Sequence, residues 1–293
     1  MTRSPADFSD PDSWFHREGP VGEVRLHRVE AGVGPPVVLL HGFPEFWWGW
    51  RRQIPALAAG GLQAIAPDLR GYNRSERPPG IRPYRMEALV GDVAGLIGTA
   101  AGGRAHVVGH DWGGVIAWYL AMTRPELVDR LVIVNAPHPR AFRRELRRPE
   151  QMLRSWYAGA FQVPVLPELA LRARDFALLE RIFRDGPVRP GAFTQDDIAR
   201  YKASAGGPGA LTAMLAYYRA ATRYPTPPVR TIHHPTLLVW GEKDQALSPR
   251  LTRGLEPLVP RLRIECIPDA SHWVLAERPE RVNELLLDFL CAA

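Results

Sequence analysis

Five residues, Gly109-His110-Asp111-Trp112-Gly113, constrain this chain more than any other stretch. Before them, Ala105 to Val108 is a short apolar run, partly β-branched, of the kind that forms a buried strand. After them, Val115 to Thr123 is apolar and rich in good helix formers, which predicts a buried helix. The chain must therefore pass from strand to helix within a few residues. This is the G-x-S-x-G pattern, a strained turn that lifts a nucleophile to the rim of a sheet, with Asp111 in the serine position. The flanking glycines fit such a turn, because residues without a Cβ relieve crowding around a strained nucleophile.

The residue at the tip selects the chemistry. A serine attacking an acyl carbon gives an ester that water can hydrolyse. Attacking an sp3 carbon, it would give an ether that no histidine-activated water cleaves. An aspartate attacking that same carbon gives an alkyl ester, and water can then attack the ester's own carbonyl. Aspartate is also ionised at neutral pH, which leaves a histidine free to activate the second-step water. Asp111 thus points to displacement at carbon, as at an epoxide or an alkyl halide. The competing role for it is to cap the helix that follows.

A length of 293 residues suits one large α/β domain with an insertion, or two modest domains. Apolar residues at 46% and charged residues at 23% match a soluble globular protein. No apolar run approaches the roughly 18 residues of a membrane span, and no charged-then-apolar leader follows Met1, so neither a membrane span nor a signal peptide is expected. Cys266 and Cys291 lack metal spacing and predict a reduced, cytoplasmic protein without a disulfide framework. The formal charge of +6 does not predict nucleic-acid binding. The arginines are spread along the chain, and the one denser group, Arg140, Arg143, Arg144, Arg147 and Arg148, reads as a solvated helix face.

Residues 1–20 read as a loop broken by Pro5, Pro11 and Pro20, and Val21 to Glu30 as an edge strand. Val37 to Leu40 and Leu62 to Ala66 read as buried strands. A helix is expected to begin at Trp47 and to be kinked or restarted at Pro55, and another to span Met86 to Ala100. Asp68 reads as structural, through loop hydrogen bonds or ion pairs with nearby arginines. Leu131 to Val134 is a further buried strand. From Arg140 to about Arg223 only helical stretches occur, near 141–160, 168–184, 195–205 and 209–222. Strands then resume at Thr236 to Trp240, the sixth in sequence, and at Leu262 to Ile267, with helices at 249–258 and 278–290. A helical block between two strands predicts a cap over the strand ends, where α/β sheets bind ligands.

The loop His41-Gly42-Phe43-Pro44 follows an early strand, where the Phe43 N–H can join the Trp112 N–H in an oxyanion hole, with His41 itself bonding only backbone. Loops after the last two strands carry Asp244 and His272. The order nucleophile, acid, histidine makes His272 the general base for water and Asp244 its orienting partner. Glu242 and Asp269 are rival acids, Asp269 being better suited to capping its turn. His233 and His234 stand before a strand, at the wrong end of the sheet.

From about Val21 to Leu290 the chain resembles the epoxide hydrolases of the α/β-hydrolase fold, of the soluble type. His41-Gly-Phe-Pro44 and Gly109-His-Asp-Trp-Gly-Gly114 are both written as in that family. The resemblance implies a mostly parallel central sheet with helices on both faces and an inserted all-helical cap. The boundaries expected are a core of 1–138 and 225–293 and a cap of 139–224. In that family two cap tyrosines aim at the epoxide oxygen. One lies four residues before a Phe-Gln pair, here Phe161-Gln162, which implies Tyr157. The other sits in a Tyr-Arg dipeptide, which implies Tyr218, with Tyr217 as its rival. A phenol with a pKa near 10 can hydrogen-bond and protonate the alkoxide of ring opening.

The resemblance also implies Trp112, Phe161 and Phe43 as substrate-binding residues, small-molecule epoxide and water as the partners, and no metal or other cofactor. A homodimer stays open. Haloalkane dehalogenases share the Asp-Trp pair, but those enzymes commonly add an Asn or Trp after His-Gly, where this chain has Phe43. Fluoroacetate-type dehalogenases carry arginines beside the nucleophile, where this chain has Trp112 and Val115. A ligand-binding receptor on the same fold is the third reading, which an intact triad disfavours.

Overall fold

The computed structural model describes residue 8 and residues 10–292, so the break expected at Pro5 lies outside the described residues. The chain opens on a hairpin, β1 (Phe15–Val21) and β2 (Val24–Ala31), turned through Gly22 at φ +59°. There follow β3 (Pro36–Leu40), α1 (Ile54–Ala59), β4 (Gln63–Pro67), α2 (Met86–Ala100), β5 (Ala105–His110), α3 (Trp112–Thr123) and β6 (Val128–Val134). Six helices then occur without a strand: α4 (Pro139–Glu145), α5 (Pro149–Arg154), α6 (Trp156–Ala160), α7 (Leu166–Asp185), α8 (Gln195–Gly206) and α9 (Ala210–Arg223). The chain ends with β7 (Thr236–Gly241), β8 (Leu262–Ile267), α10 (Val274–Glu277) and α11 (Pro279–Leu290).

The described strands form one sheet in the order β1-β2-β4-β3-β5-β6-β7-β8. Every pair from β4 to β8 is parallel, and β2 alone runs against its neighbours. This is the α/β-hydrolase fold, an eight-stranded, mostly parallel sheet with its helices. The unbroken apolar runs in β3 and β7 follow from burial of both sheet faces, since alternation appears only where one face meets water. β4 lies on one side of β3 and β5 on the other, so the chain reverses its march across the sheet between them. The loops after β3 and β5 consequently flank a crevice at the carboxyl ends of neighbouring strands.

Several local expectations need correction. Phe15–Val21 is a strand, not part of a leading loop. It is the sheet's edge, mostly exposed, and an edge tolerates Pro20 because one side of the strand has no ladder to complete. The Val24–Ala31 strand is therefore interior, and Thr236–Gly241 is the seventh strand, not the sixth. The helix expected over 141–160 is three short ones, each opening on a proline or a reset backbone: Pro149 starts α5 and Ser155 separates α6. α7 is broken internally, with non-helical backbone from Ala173 to Phe176. Only the 3-10 turn Pro249–Thr252 forms where a helix over 249–258 was expected.

Candidate active site

The turn between β5 and α3 holds Asp111 at φ 50° and ψ −121°, a conformation costly for any residue with a side chain. Close backbone approach makes it possible. A Cβ on Gly109 would collide with the Gly113 backbone, and one on Gly113 with the Leu40 and His41 carbonyls. Gly42 matters in the same way, since a Cβ there would strike the Asp111 side chain itself. The Asp111 side chain makes no capping bond to α3. Instead its Oδ1 accepts the Phe43 N–H at 2.8 Å, and its Oδ2 faces His272. The Trp112 N–H opens α3 and has no acceptor inside the helix.

His272 follows β8, and its Nδ1 donates to Asp244 Oδ2 at 2.7 Å. The buried Asp244 carboxylate is fully engaged: Oδ2 also accepts from Asn135 Nδ2 at 2.8 Å, and Oδ1 accepts the N–H groups of Ala246 and Leu247. His272 Nε2 lies 3.6 Å from Asp111 Oδ2, an ion-pair approach longer than a hydrogen bond. Burial disfavours the imidazolium, but the carboxylates of Asp244 and Asp111 outweigh it and raise the His272 pKa well above the usual value. Burial likewise works against the Asp111 carboxylate. The positive potential of His272 and His110 and the Phe43 N–H overcome it and hold Asp111 below the usual carboxylate range.

The rival acids lie elsewhere. Glu242 is exposed, and Asp269 pairs with Arg278 at the surface instead of capping its turn. His234 lies near Arg104 and Asp129 at the opposite end of the sheet. His41 bonds only backbone, accepting the Leu69 N–H and donating to the Gly42 carbonyl. Asp68 is buried and structural, but its partners are His27, Asn73 and the Trp47 and Arg74 N–H groups, with no arginine side chain among them.

Two tyrosines from the helical block face this crevice. Tyr157 on α6 and Tyr218 on α9 have ring centroids 6.0 Å apart, and Tyr218 lies edge-on to Trp112 at 5.1 Å. Both line a cavity of about 780 Å³ with Asp111 and Trp112. Burial, followed by the Asp111 charge, raises both phenol pKa values, so both remain protonated at neutral pH. Tyr217 points away, its hydroxyl donating to the Arg70 carbonyl at 2.7 Å. Phe43 and Phe161 are not among the cavity walls. They pack edge-on with Tyr218, at 5.4 and 5.0 Å between centroids.

Several supporting contacts escaped the sequence reading. Arg219 donates to the Phe161 and Val163 carbonyls and pairs with Glu168, which ties the segment after α6 to α9. Gln162 adds a bond to the Tyr218 carbonyl. Glu277 accepts from Ser271 and from the Val188 and Arg189 N–H groups, anchoring the His272 loop to the segment after α7. The buried His110 bridges the Glu45 carboxylate and the His272 carbonyl through its two ring nitrogens. Glu277 belongs to no motif, and the motifs that include His110, Gln162 and Arg219 do not reveal these bonds, because the partners lie far away in sequence. Among the described residues, no cluster of His, Cys, Asp or Glu could hold a metal.

The model of the α/β-hydrolase fold family matches residues 35–279. An AB hydrolase superfamily protein of Bacillus subtilis is 43% identical over 91% of this chain and 94% of its own. Human epoxide hydrolase 4 is 35% identical over 98% of this chain and 82% of its own. The crystal structure of a Bacillus megaterium epoxide hydrolase bound to an inhibitor superposes with a TM-score of 0.88 at 32% identity. It covers 94% of this chain and all of that one.

Proposed function

The chain belongs to the epoxide hydrolases of the α/β-hydrolase fold, and from that premise we propose that it adds water to an epoxide to give a vicinal diol. The observation that carries the proposal is a carboxylate, Asp111, on the nucleophile's turn, facing two phenols, Tyr157 and Tyr218, across one cavity. In this reading residues 139–224 act as a cap on a core formed by 1–138 and 225–293.

Asp111 Oδ1 is held by the Phe43 N–H, so Oδ2 is the oxygen free to attack a ring carbon. As that C–O bond forms, the ring C–O bond breaks and its electron pair stays on the epoxide oxygen, which takes a proton from Tyr157 or Tyr218. His272 then removes a proton from water, and the hydroxide adds to the ester carbonyl. The developing oxyanion is Oδ1, where the Phe43 and Trp112 N–H groups stabilise it. Its collapse breaks the ester C–O bond, and the departing oxygen takes a proton from His272. The proton of the re-formed Asp111 carboxyl returns the tyrosine and histidine to their resting states. Esterification removes the Asp111 charge, one of the two that hold a proton on His272, so the base is released at the step that needs it.

The test is a panel of styrene-type, terminal aliphatic and internal epoxides run beside bromoalkanes, with diol and bromide both measured. Diol without bromide supports the proposal. Bromide as the main product would make the protein a haloalkane dehalogenase, and no turnover of any member would favour a receptor.

A further inference from the structure

Of the twelve large apolar side chains that the described residues leave exposed, seven fall between Met152 and Leu169, on α5, α6, the segment that follows α6 and the start of α7. Leu153 is 73% exposed, Trp156 71% and Leu166 64%, which is a concentrated patch and not the scatter usual on a soluble surface. Met152 and Trp156 also line the active-site cavity, so the exposed apolar segment reaches its wall.

The same region is basic. Residues 140–172 contain seven arginines and three glutamates, a net +4 of the chain's +6. Arg140, Arg143, Arg144 and Arg147 recur at helical spacing and line a second recess of about 480 Å³. That recess shares Arg143 with the active-site cavity. Arg140, Arg143 and Arg147 are exposed and pair with no carboxylate among the described residues.

An exposed apolar rim beside unpaired arginines is the composition of a surface that rests in a lipid interface. We propose that this face docks the protein onto an anionic phospholipid surface, headgroup phosphates entering the arginine recess while Leu153, Trp156 and Leu166 reach the acyl boundary. Charge favours the lipid over a second copy of the chain, because a two-fold contact through this face would bring together two surfaces of the same net positive charge. The contact is peripheral, as no helix among the described residues is long and apolar enough to cross a membrane. The inference stands apart from the epoxide reading, since binding is measured without turnover.

The test is co-sedimentation of the whole chain with phosphatidylcholine vesicles, plain or mixed with phosphatidylglycerol, at low and high salt. Pelleting is expected with the anionic vesicles at low salt and little with plain ones. Arg140→Gln with Arg147→Gln should lower partition by roughly twenty-fivefold, about fivefold for each charge removed. Leu153→Ser with Leu166→Ser should lower it independently, and both pairs should keep the wild-type melting temperature. Three results would overturn the proposal: no pelleting with anionic vesicles, pelleting that survives both pairs, or a wild-type dimer that the leucine pair splits. The last would assign the face to a second copy.

Discussion

Nε2 of His272 lies 3.6 Å from Oδ2 of Asp111, too far to share a proton and close enough for each charge to set the other's protonation. In the proposed mechanism the histidine activates water that attacks an ester, not a nucleophile already ionised. Replacing His272 with Gln should leave the first step intact and stall the second. Intact-protein mass spectrometry after mixing with an epoxide should show the enzyme heavier by one substrate, and Asp111→Asn should show no increase.

Gly42 touches no substrate in this account, yet the nucleophile's position depends on it. A Cβ at that position would meet Asp111 Cβ and Oδ1. Gly42→Ala is expected to cut kcat by about a hundredfold or more, the usual consequence of displacing a reacting group by about an ångström. The overpacking should also cost about 1–3 kcal/mol of stability, which a thermal scan beside the kinetics would establish.

The three tyrosines divide into two kinds. Tyr157→Phe and Tyr218→Phe each remove a proton donor and should each lower kcat/KM by about a hundredfold, with the double variant close to inactive. Tyr217→Phe removes only the bond to the Arg70 carbonyl and should cost about 1 kcal/mol of stability with turnover retained. Parallel denaturation and rate measurements on the three variants check this division.

His138 begins α4, buried and accepting the Arg140 N–H, and burial followed by the Arg140 charge lowers its pKa from 6.5 to about 4. Between those values the unfolded chain binds more protons than the folded one. Stability from this group is therefore complete above about pH 6.5 and is lost as pH falls toward 4, by about 3 kcal/mol at most. Urea unfolding at a series of pH values should show that slope in the wild type and a shallower one in His138→Gln.

What the sequence displays and what it hides have distinct physical causes. The turn at Asp111, the loop at Phe43 and the loops carrying Asp244 and His272 were legible because each needs particular residues within a few positions of one another. The Phe15–Val21 strand was not, since an exposed edge pairing on one side needs little apolar content. Tyr218 was reachable only through a dipeptide pattern, and its separation from Tyr217 rests on a bond to Arg70, far away in sequence. Phe161 was implied as a substrate-binding residue by the resemblance alone, and its ring contacts with Tyr218 and Phe43 join residues far apart in sequence.

The central claim is a covalent bond from the Asp111 carboxylate to saturated carbon, and a single turnover in oxygen-18 water, with enzyme in excess over epoxide, tests it most directly. The account predicts one labelled oxygen in the Asp111 carboxyl of the digested protein and none in the diol. Label in the diol with none in Asp111 would contradict it, since water would then have attacked the epoxide itself.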